Sequence, residues 1–187
     1  MNIDFLSLIF AGLFSLLLLA IYEKAKQRDL NKKKNEYYKR ELIEIKKHAK
    51  NNYKIVLDNR RDYLNNKEKL PLPYKFDTDY LRNLLMNNQL SMEPDQSDII
   101  RYLHATNEYY KHFFDELIDD ARNDRCGGEN TASQCGHILA CCKTMHYLAR
   151  IALNEEELIQ GHDGTNKEAA IIEKEIDDER PLPNLGE

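Results

Sequence analysis

The sequence predicts an all-α protein with a single N-terminal transmembrane helix, which continues into a long stalk helix and then a small head built on an antiparallel helical hairpin. A run of 17 uncharged residues lies near the N-terminus, and Gly (7) and Pro (5) are scarce among 187 residues. Apolar side chains also recur at helical spacing through most of the chain. We therefore expect five segments: a membrane anchor (1–22), a basic stalk (23–70), a proline linker (71–76), an acidic helical head (77–162), and an acidic helix with a disordered tail (163–187).

The uncharged run is FLSLIFAGLFSLLLLAI, from Phe5 to Ile21. With its apolar neighbours it reaches the roughly 20 residues that a helix needs to cross a bilayer. Asp4 precedes the run and AIYEKAKQ spans its end, which differs from the basic start and small-residue cleavage site of a secretory signal peptide. We expect an uncleaved signal-anchor, and a helix buried in a protein core is the alternative.

The orientation of the anchor follows from the basic residues after it, because Lys and Arg beside a span stay on the cytoplasmic side. The membrane-proximal basic residues are Lys24, Lys26, Arg28, Lys32, Lys33 and Lys34. We expect a single-pass protein of the cell membrane with its N-terminus outside and its C-terminal domain in the cytoplasm.

Charge is distributed unevenly along the chain. Residues 23–61 carry 14 Lys and Arg against 6 Asp and Glu, a balance of +8, whereas residues 77–187 carry 10 against 23, a balance of −13. The basic part adjoins an apolar helix, so the lipid bilayer and its anionic headgroups are the expected partners of this region. Nucleic acid is the less favoured polyanion.

The stalk is predicted to be one long helix, since residues 23–69 contain neither Pro nor Gly. Its apolar stripe comprises Tyr38, Leu42, Ile45, Ala49, Val56 and Tyr63. Asn52 and Asn59 interrupt this stripe, which weakens any coiled-coil seam. We expect the stripe to pack on the following domain, with a homo-oligomer or a solvated stalk as the alternatives, and Pro71 and Pro73 to end the helix.

The head contains a predicted hairpin of helices over about 95–124 and from about 131 to 153. The stripe of the first helix is Ile99, Leu103, Tyr110, Phe113, Phe114, Leu117 and Ala121. CGGEN is expected to form the turn, and Thr131 or Ser133 to cap the second helix. Short helices are predicted on either side, over about 78–88 and 167–177.

Two groups of side chains could bind a metal ion. His104, Glu108 and His112 are spaced by four, but a helical wheel places them opposite the apolar stripe, so we expect them to face solvent. The second group lies in CGGENTASQCGHILACCKTMH, where the metal candidates are Cys126, Cys135, Cys142 and His146.

The wheel of this second helix puts Cys135, Cys142 and His146 on one apolar face, which favours helix packing. A zinc site is the alternative, although the spacing lacks a CxxC pair. A disulfide between Cys126 and Cys135 is the expectation only if the head lies outside the cell. A buried His146 would need a hydrogen-bond partner or a metal ion.

No glycine-rich phosphate loop, GxSxG or HExxH motif is present in the sequence, so we expect no enzymatic activity and no cofactor. The predicted function is a membrane-tethered interaction or regulatory module that recruits an unidentified protein partner at the cytoplasmic membrane face. The alternatives are a metal- or redox-responsive sensor that uses the Cys/His cluster, and an envelope-spanning structural protein with its head outside.

Overall fold

The computed structural model describes residues 2–64, 73–76, 78–86, 94–123, 125–126, 128–155 and 163–178. Within these ranges, the side chains of residues 2–9, 11–12, 61–64, 80, 84–86, 94–95, 128, 163–166 and 177 are not described. Residues 71 and 72 of the predicted linker (71–76) and residues 179–187 of the predicted C-terminal segment (163–187), which include most of its disordered tail, lie outside the described residues.

The described residues form five helices and no strand, which confirms the predicted all-helical class. The helices are α1 (Asn2–Leu64), α2 (Asp79–Met86), α3 (Pro94–Arg122), α4 (Gly128–Ala152) and α5 (Asp163–Asp178). The chain divides into two compact units, Met1–Tyr38 and Lys39–Glu187. The second half of α1 thus belongs to the same unit as the predicted head. The predicted segment boundaries at residues 22, 70, 76 and 162 stay predictions.

The first unit consists of the N-terminal part of α1. Its described large apolar side chains between Phe10 and Tyr22 are all exposed, by 51% to 67%. Among the helices that the structure describes, none combines the length and the hydropathy needed to span a membrane. The predicted anchor over 1–22 includes residues 2–9, 11 and 12, whose side chains lie outside the described residues.

The second unit encloses the hydrophobic core. Four members of the predicted stripe of α1 are buried there, since Leu42, Ile45, Ala49 and Val56 are each at most 3% exposed. Tyr38, at the end of the first unit, is 7% exposed, and the side chain of Tyr63 lies outside the described residues. Apolar side chains at a spacing of three or four lie on one side of a helix, so this face packs against the rest of the unit. The face that would have formed a seam between two copies is therefore already covered within one chain.

Asn52 interrupts that stripe, and it is fully buried. Its amide nitrogen Nδ2 donates to the Tyr74 carbonyl oxygen (2.8 Å) and to the Tyr110 hydroxyl (3.0 Å), while its Oδ1 accepts from the Tyr74 backbone nitrogen (2.7 Å). The Tyr110 hydroxyl in turn donates to the same Tyr74 carbonyl (2.8 Å). Asn52 therefore fastens the described part of the predicted linker, residues 73–76, to both α1 and α3.

The hairpin of α3 and α4 has the predicted form. Leu103, Tyr110 and Leu117 are fully buried along α3, whereas Phe113 of the predicted stripe is only half-buried. The expected cap at Thr131 or Ser133 is wrong, because α4 already begins at Gly128.

Polar contacts between the two helices explain the early start of α4. Asn130 Nδ2 and Gln134 Nε2 both donate to Asp120 Oδ2 on α3, at 3.2 and 2.9 Å. These bonds hold the first two turns of α4 against the end of α3. The sequence did not indicate them because the two partners belong to different helices.

His104 also differs from its expected place. Glu108 and His112 are exposed as predicted, but His104 is half-buried and its Nδ1 lies 3.0 Å from the Thr78 hydroxyl. That hydroxyl accepts from Asn107 Nδ2 as well, at 3.0 Å. Thr78 thereby ties the start of α2 to α3, and this contact removes His104 from solvent.

Candidate functional site

The four cysteines are free thiols, and all of them are buried. Burial raises the pKa of Cys135 and of Cys141 to about 11, and it raises the pKa of Cys142 well above the usual value for a thiol. The thiolate is the form that binds metals and attacks disulfides, so these thiols are poorly suited to either chemistry at neutral pH.

His146 on α4 is fully buried, and its partner is a carboxylate. His146 Nδ1 lies 2.5 Å from Oε1 of Glu168 on α5, and Glu168 is itself only 1% exposed. When the Glu168 carboxylate is ionised it only accepts hydrogen bonds, and Nδ1 is then the donor of this pair. His146 is thus bonded to a neighbouring helix and not directed at the cysteines.

The carboxylate of Glu168 also receives a cation. Arg150 lies one turn after His146 on α4, and its Nη1 donates to both oxygens of Glu168, at 3.2 and 3.3 Å. A buried carboxylate requires such compensation, since an isolated charge in the protein interior is costly. Arg150 thereby allows Glu168 to stay in the core beside the imidazole.

The charged contacts continue on both sides of this pair. Arg150 Nε lies 3.9 Å from Glu155, whose carboxylate accepts from Lys46 Nζ at 2.7 and 2.9 Å. On the other side, His146 Nε2 lies 3.5 Å from Oε2 of Glu175, and the Lys50 ammonium lies 3.7 Å from the same oxygen. The resulting charge cluster consists of Lys46, Glu155, Arg150, Glu168, His146, Glu175 and Lys50. Positive and negative groups alternate along it when His146 carries both protons.

The charge cluster borders a cleft of about 450 Å³ between α1, α4 and α5. The described lining residues are Ile43, Lys46, Lys47, Lys50, His146, Glu175 and Asp178. His146 Nε2 faces this side, because Glu175 lies beside it, whereas Nδ1 faces Glu168. Nε2 is buried and makes no hydrogen bond among the described groups.

A second surface feature lies on the hairpin. A shallow groove of about 320 Å³ runs between α3 and α4. It is lined by Ala105, Thr106, Tyr109, Phe113, His137, Ala140, Cys141 and Thr144. Tyr109 is 67% exposed, and the Phe113 ring stacks on the His137 ring at 4.2 Å between centroids. This groove is predominantly apolar, in contrast to the cleft beside His146.

The metal candidates are not brought together. In the part of the chain that the structure describes, no group of three His, Cys, Asp or Glu side chains could hold a metal ion. Cys135, Cys142 and His146 lie on the buried face of α4, as the wheel predicted, with His146 bonded to Glu168. No family model, curated protein or solved structure matches the chain.

Sequence reasoning identified His146 but missed its partners. Glu168 and Glu175 belong to the acidic segment 163–187, in which carboxylates usually face solvent. Their spacing of seven places them on one face of α5, together with Ile172, which is fully buried. This shared face is a signal that Glu168 is turned inward, but it does not identify the side chain that Glu168 meets.

Proposed function

We propose that this protein is a membrane-tethered, non-enzymatic interaction module. Its N-terminal helix would anchor it in the bilayer, with the N-terminus outside and residues 39–187 on the cytoplasmic side. The observation that supports this proposal best is the exposure of every described large apolar side chain between Phe10 and Tyr22. Such a surface is unfavourable in water and favourable in lipid.

The residues that follow the apolar stretch fit the same role. The described side chains from Lys24 to Lys33 are exposed, and Lys34 is half-buried, so most of the basic groups are accessible to anionic headgroups. Each basic residue near an anionic membrane surface contributes about 1 kcal/mol of attraction. The basic stretch would then hold the protein against the inner leaflet.

The groove on α3 and α4 is the surface that we assign to the protein partner. Tyr109 stands exposed beside small residues of α4 such as Ala140, which permit the close approach of another helix. Asp98 and Glu116 are also exposed on α3, each seven residues from a residue that lines the groove, Ala105 and Tyr109 respectively, and so on the same side of the helix. We therefore propose that the occupant is an amphipathic helix with Lys or Arg at its flanks.

The non-enzymatic part of the proposal rests on the sequence, which carries no glycine-rich phosphate loop, GxSxG or HExxH motif.

Fractionation of cells tests the tether. The full chain should remain with membranes after a high-salt and alkaline wash, and a variant without residues 1–22 should appear in the soluble fraction. Fusions of a reporter to the C-terminus test the orientation: a reporter active only in the cytoplasm should be active. An active periplasm-type alkaline phosphatase, or retention of the truncated variant in membranes, would contradict the proposal.

A further inference from the structure

The cleft beside His146 contains an imidazole nitrogen without a hydrogen-bond partner. His146 is fully buried, and its Nε2 makes no hydrogen bond among the described groups. The ring cannot turn to satisfy this atom, because Nδ1 is held by Glu168 and Glu168 is held by Arg150. Nε2 therefore stays directed toward the cleft, where a bound molecule could pair with it.

A carboxylate side chain already occupies the position that an anion would take in this cleft. The Glu175 carboxylate lies between His146 Nε2, at 3.5 Å, and Lys50 Nζ, at 3.7 Å. Both distances exceed those of charge-assisted hydrogen bonds, which are about 2.7 to 2.9 Å. Glu175 thus occupies the place of an oxyanion without binding tightly to either neighbour, and its side chain is 35% exposed, so it has room to turn outward.

The wall formed by α1 determines the charge of the ligand. Lys46, Lys47 and Lys50 of α1 line the cleft. Lys46 and Lys50 lie one turn apart on one face of the helix, and Lys47 lies at the edge of that face. Lys46 is paired with Glu155 and His146 with Glu168, so once Glu175 turns away the lining keeps the ammonium groups of Lys47 and Lys50 against one carboxylate, Asp178. The lining then favours a small oxyanion.

The geometry points to a binding site for a phosphate monoester between α1, α4 and α5, in which the phosphate replaces the Glu175 carboxylate between Lys50 and His146. A monoester suits Nε2 in either protonation state, since its oxygens accept hydrogen bonds and its protonated form also donates one. Asp178 disfavours polyphosphates, because every added negative charge would lie near its carboxylate.

This chemistry is shared by soluble phosphate esters and by the headgroup of phosphatidic acid. Two probes separate these sources: glycerol 3-phosphate, and a short-chain phosphatidic acid that is soluble as a monomer. Both are titrated by calorimetry into the full chain in a neutral detergent. All residues of the site lie within the unit Lys39–Glu187, so the outcome does not depend on whether the N-terminal helix spans a membrane.

The variants predict effects of opposite sign. K47Q removes an exposed ammonium from the cleft and should weaken binding about fivefold to tenfold, as expected for loss of one charged contact. E175Q removes the competing carboxylate and should tighten binding about threefold or more. The matched control is K39Q, an exposed lysine of the same helix outside the cleft, which should leave the affinity unchanged.

Nuclear magnetic resonance provides a second readout. The ¹⁵N resonance of His146 Nε2, assigned with the variant H146Q, should shift on addition of either probe, while that of Nδ1 should move little. Equal affinity for both probes would identify a soluble ester as the ligand, and preference for the lipid would identify a headgroup. Absence of saturable binding, or an E175Q variant that binds no more tightly, would overturn the proposal.

Discussion

Glu168 on α5 lies with its Oε1 2.5 Å from His146 Nδ1 on α4, and neither side chain is more than 1% exposed. This pair joins two helices through a charge inside the core. Arg150 completes it, because its guanidinium donates to the same carboxylate. The arrangement predicts that α5 is held by electrostatic contacts as well as by apolar ones such as Ile172.

Replacement of Glu168 tests that contact. E168Q keeps the shape of the side chain but removes its charge, which leaves Arg150 and the imidazole without their buried counter-charge. Removing one partner of a buried ion pair costs about 3 kcal/mol, and we expect a loss of this order in the free energy of unfolding. Urea denaturation measures it. E129Q, at an exposed position of α4, serves as the control and should change stability by less than about 0.5 kcal/mol.

Asn52 is predicted to contribute more to the stability of the fold than its place as a polar residue in an apolar stripe suggests. N52A removes the side-chain bonds to Tyr74 and Tyr110 and leaves the part-buried backbone nitrogen of Tyr74 without its acceptor, while the Tyr74 carbonyl keeps its bond from the Tyr110 hydroxyl. We expect the free energy of unfolding to fall by about 2 to 3 kcal/mol. N51A changes the adjacent, half-buried asparagine and should cost much less. Equal losses for the two variants would show that the hydrogen bonds to Tyr74 contribute little.

Alkaline pH should destabilise the second unit through its cysteines. Burial raises the pKa of Cys135 and Cys141 from 9.0 to about 11. Between these two pH values the thiols are deprotonated in the unfolded chain but stay protonated in the folded chain. The stabilisation is complete below about pH 9 and is lost as the pH rises toward 11. Thermal unfolding between these values measures the effect.

The variant C141A isolates one of these groups. Without the thiol at this position, the unfolded chain loses one fewer proton, and the decline in stability between pH 9 and 11 should be shallower than in the parent chain. Parallel declines for the two proteins would contradict the assignment. The decline in stability can also be compared with that of C126A, which changes a cysteine in the turn between α3 and α4.

A charged substitution in the N-terminal helix should affect membrane binding alone. Leu17 is 57% exposed, so L17R removes little packing, but an arginine near the centre of a span costs about 3 kcal/mol of insertion free energy. We expect a smaller membrane-bound fraction with an unchanged urea midpoint for residues 39–187. L57R changes an exposed leucine of the second unit and should leave the membrane-bound fraction unaltered.

The assignment of the groove on α3 and α4 predicts a position-specific contact in cells. A photoreactive residue in place of Tyr109 should give a discrete cross-linked product, because this side chain stands at the edge of the groove. The same residue in place of Arg122, which is exposed at the end of α3, should give none. Identical products from both positions would show that the groove is not the partner surface.

Several parts of the fold could be predicted from local sequence. The stripes of α1 and α3 repeat every three or four residues, and their buried members are largely those that the spacing indicates, such as Leu42 and Leu103. The face of α4 that carries Cys135 and Cys142 was also found by its periodicity. Helix ends were predicted less well, because contacts with Asp120 extend the start of α4.

The polar contacts of the core could not be predicted in this way. Asn52 appeared to be a defect in a stripe, yet it binds Tyr74, 22 residues further along the chain. Glu168 lies in a segment predicted only as an acidic helix, yet its carboxylate lies against an imidazole from another helix. Such partners are set by how the helices pack against one another, and the spacing of residues within one helix does not identify them.

The sequence alone determined that the chain is helical, where its apolar faces lie and how its charge changes from basic to acidic, because each of these depends on neighbours within a few residues. Only the tertiary structure decided which polar groups enter the core. A buried charge or amide is stable only beside a complementary group. For His146 that group is a carboxylate 22 positions away, which packing of α5 against α4 brings within 2.5 Å.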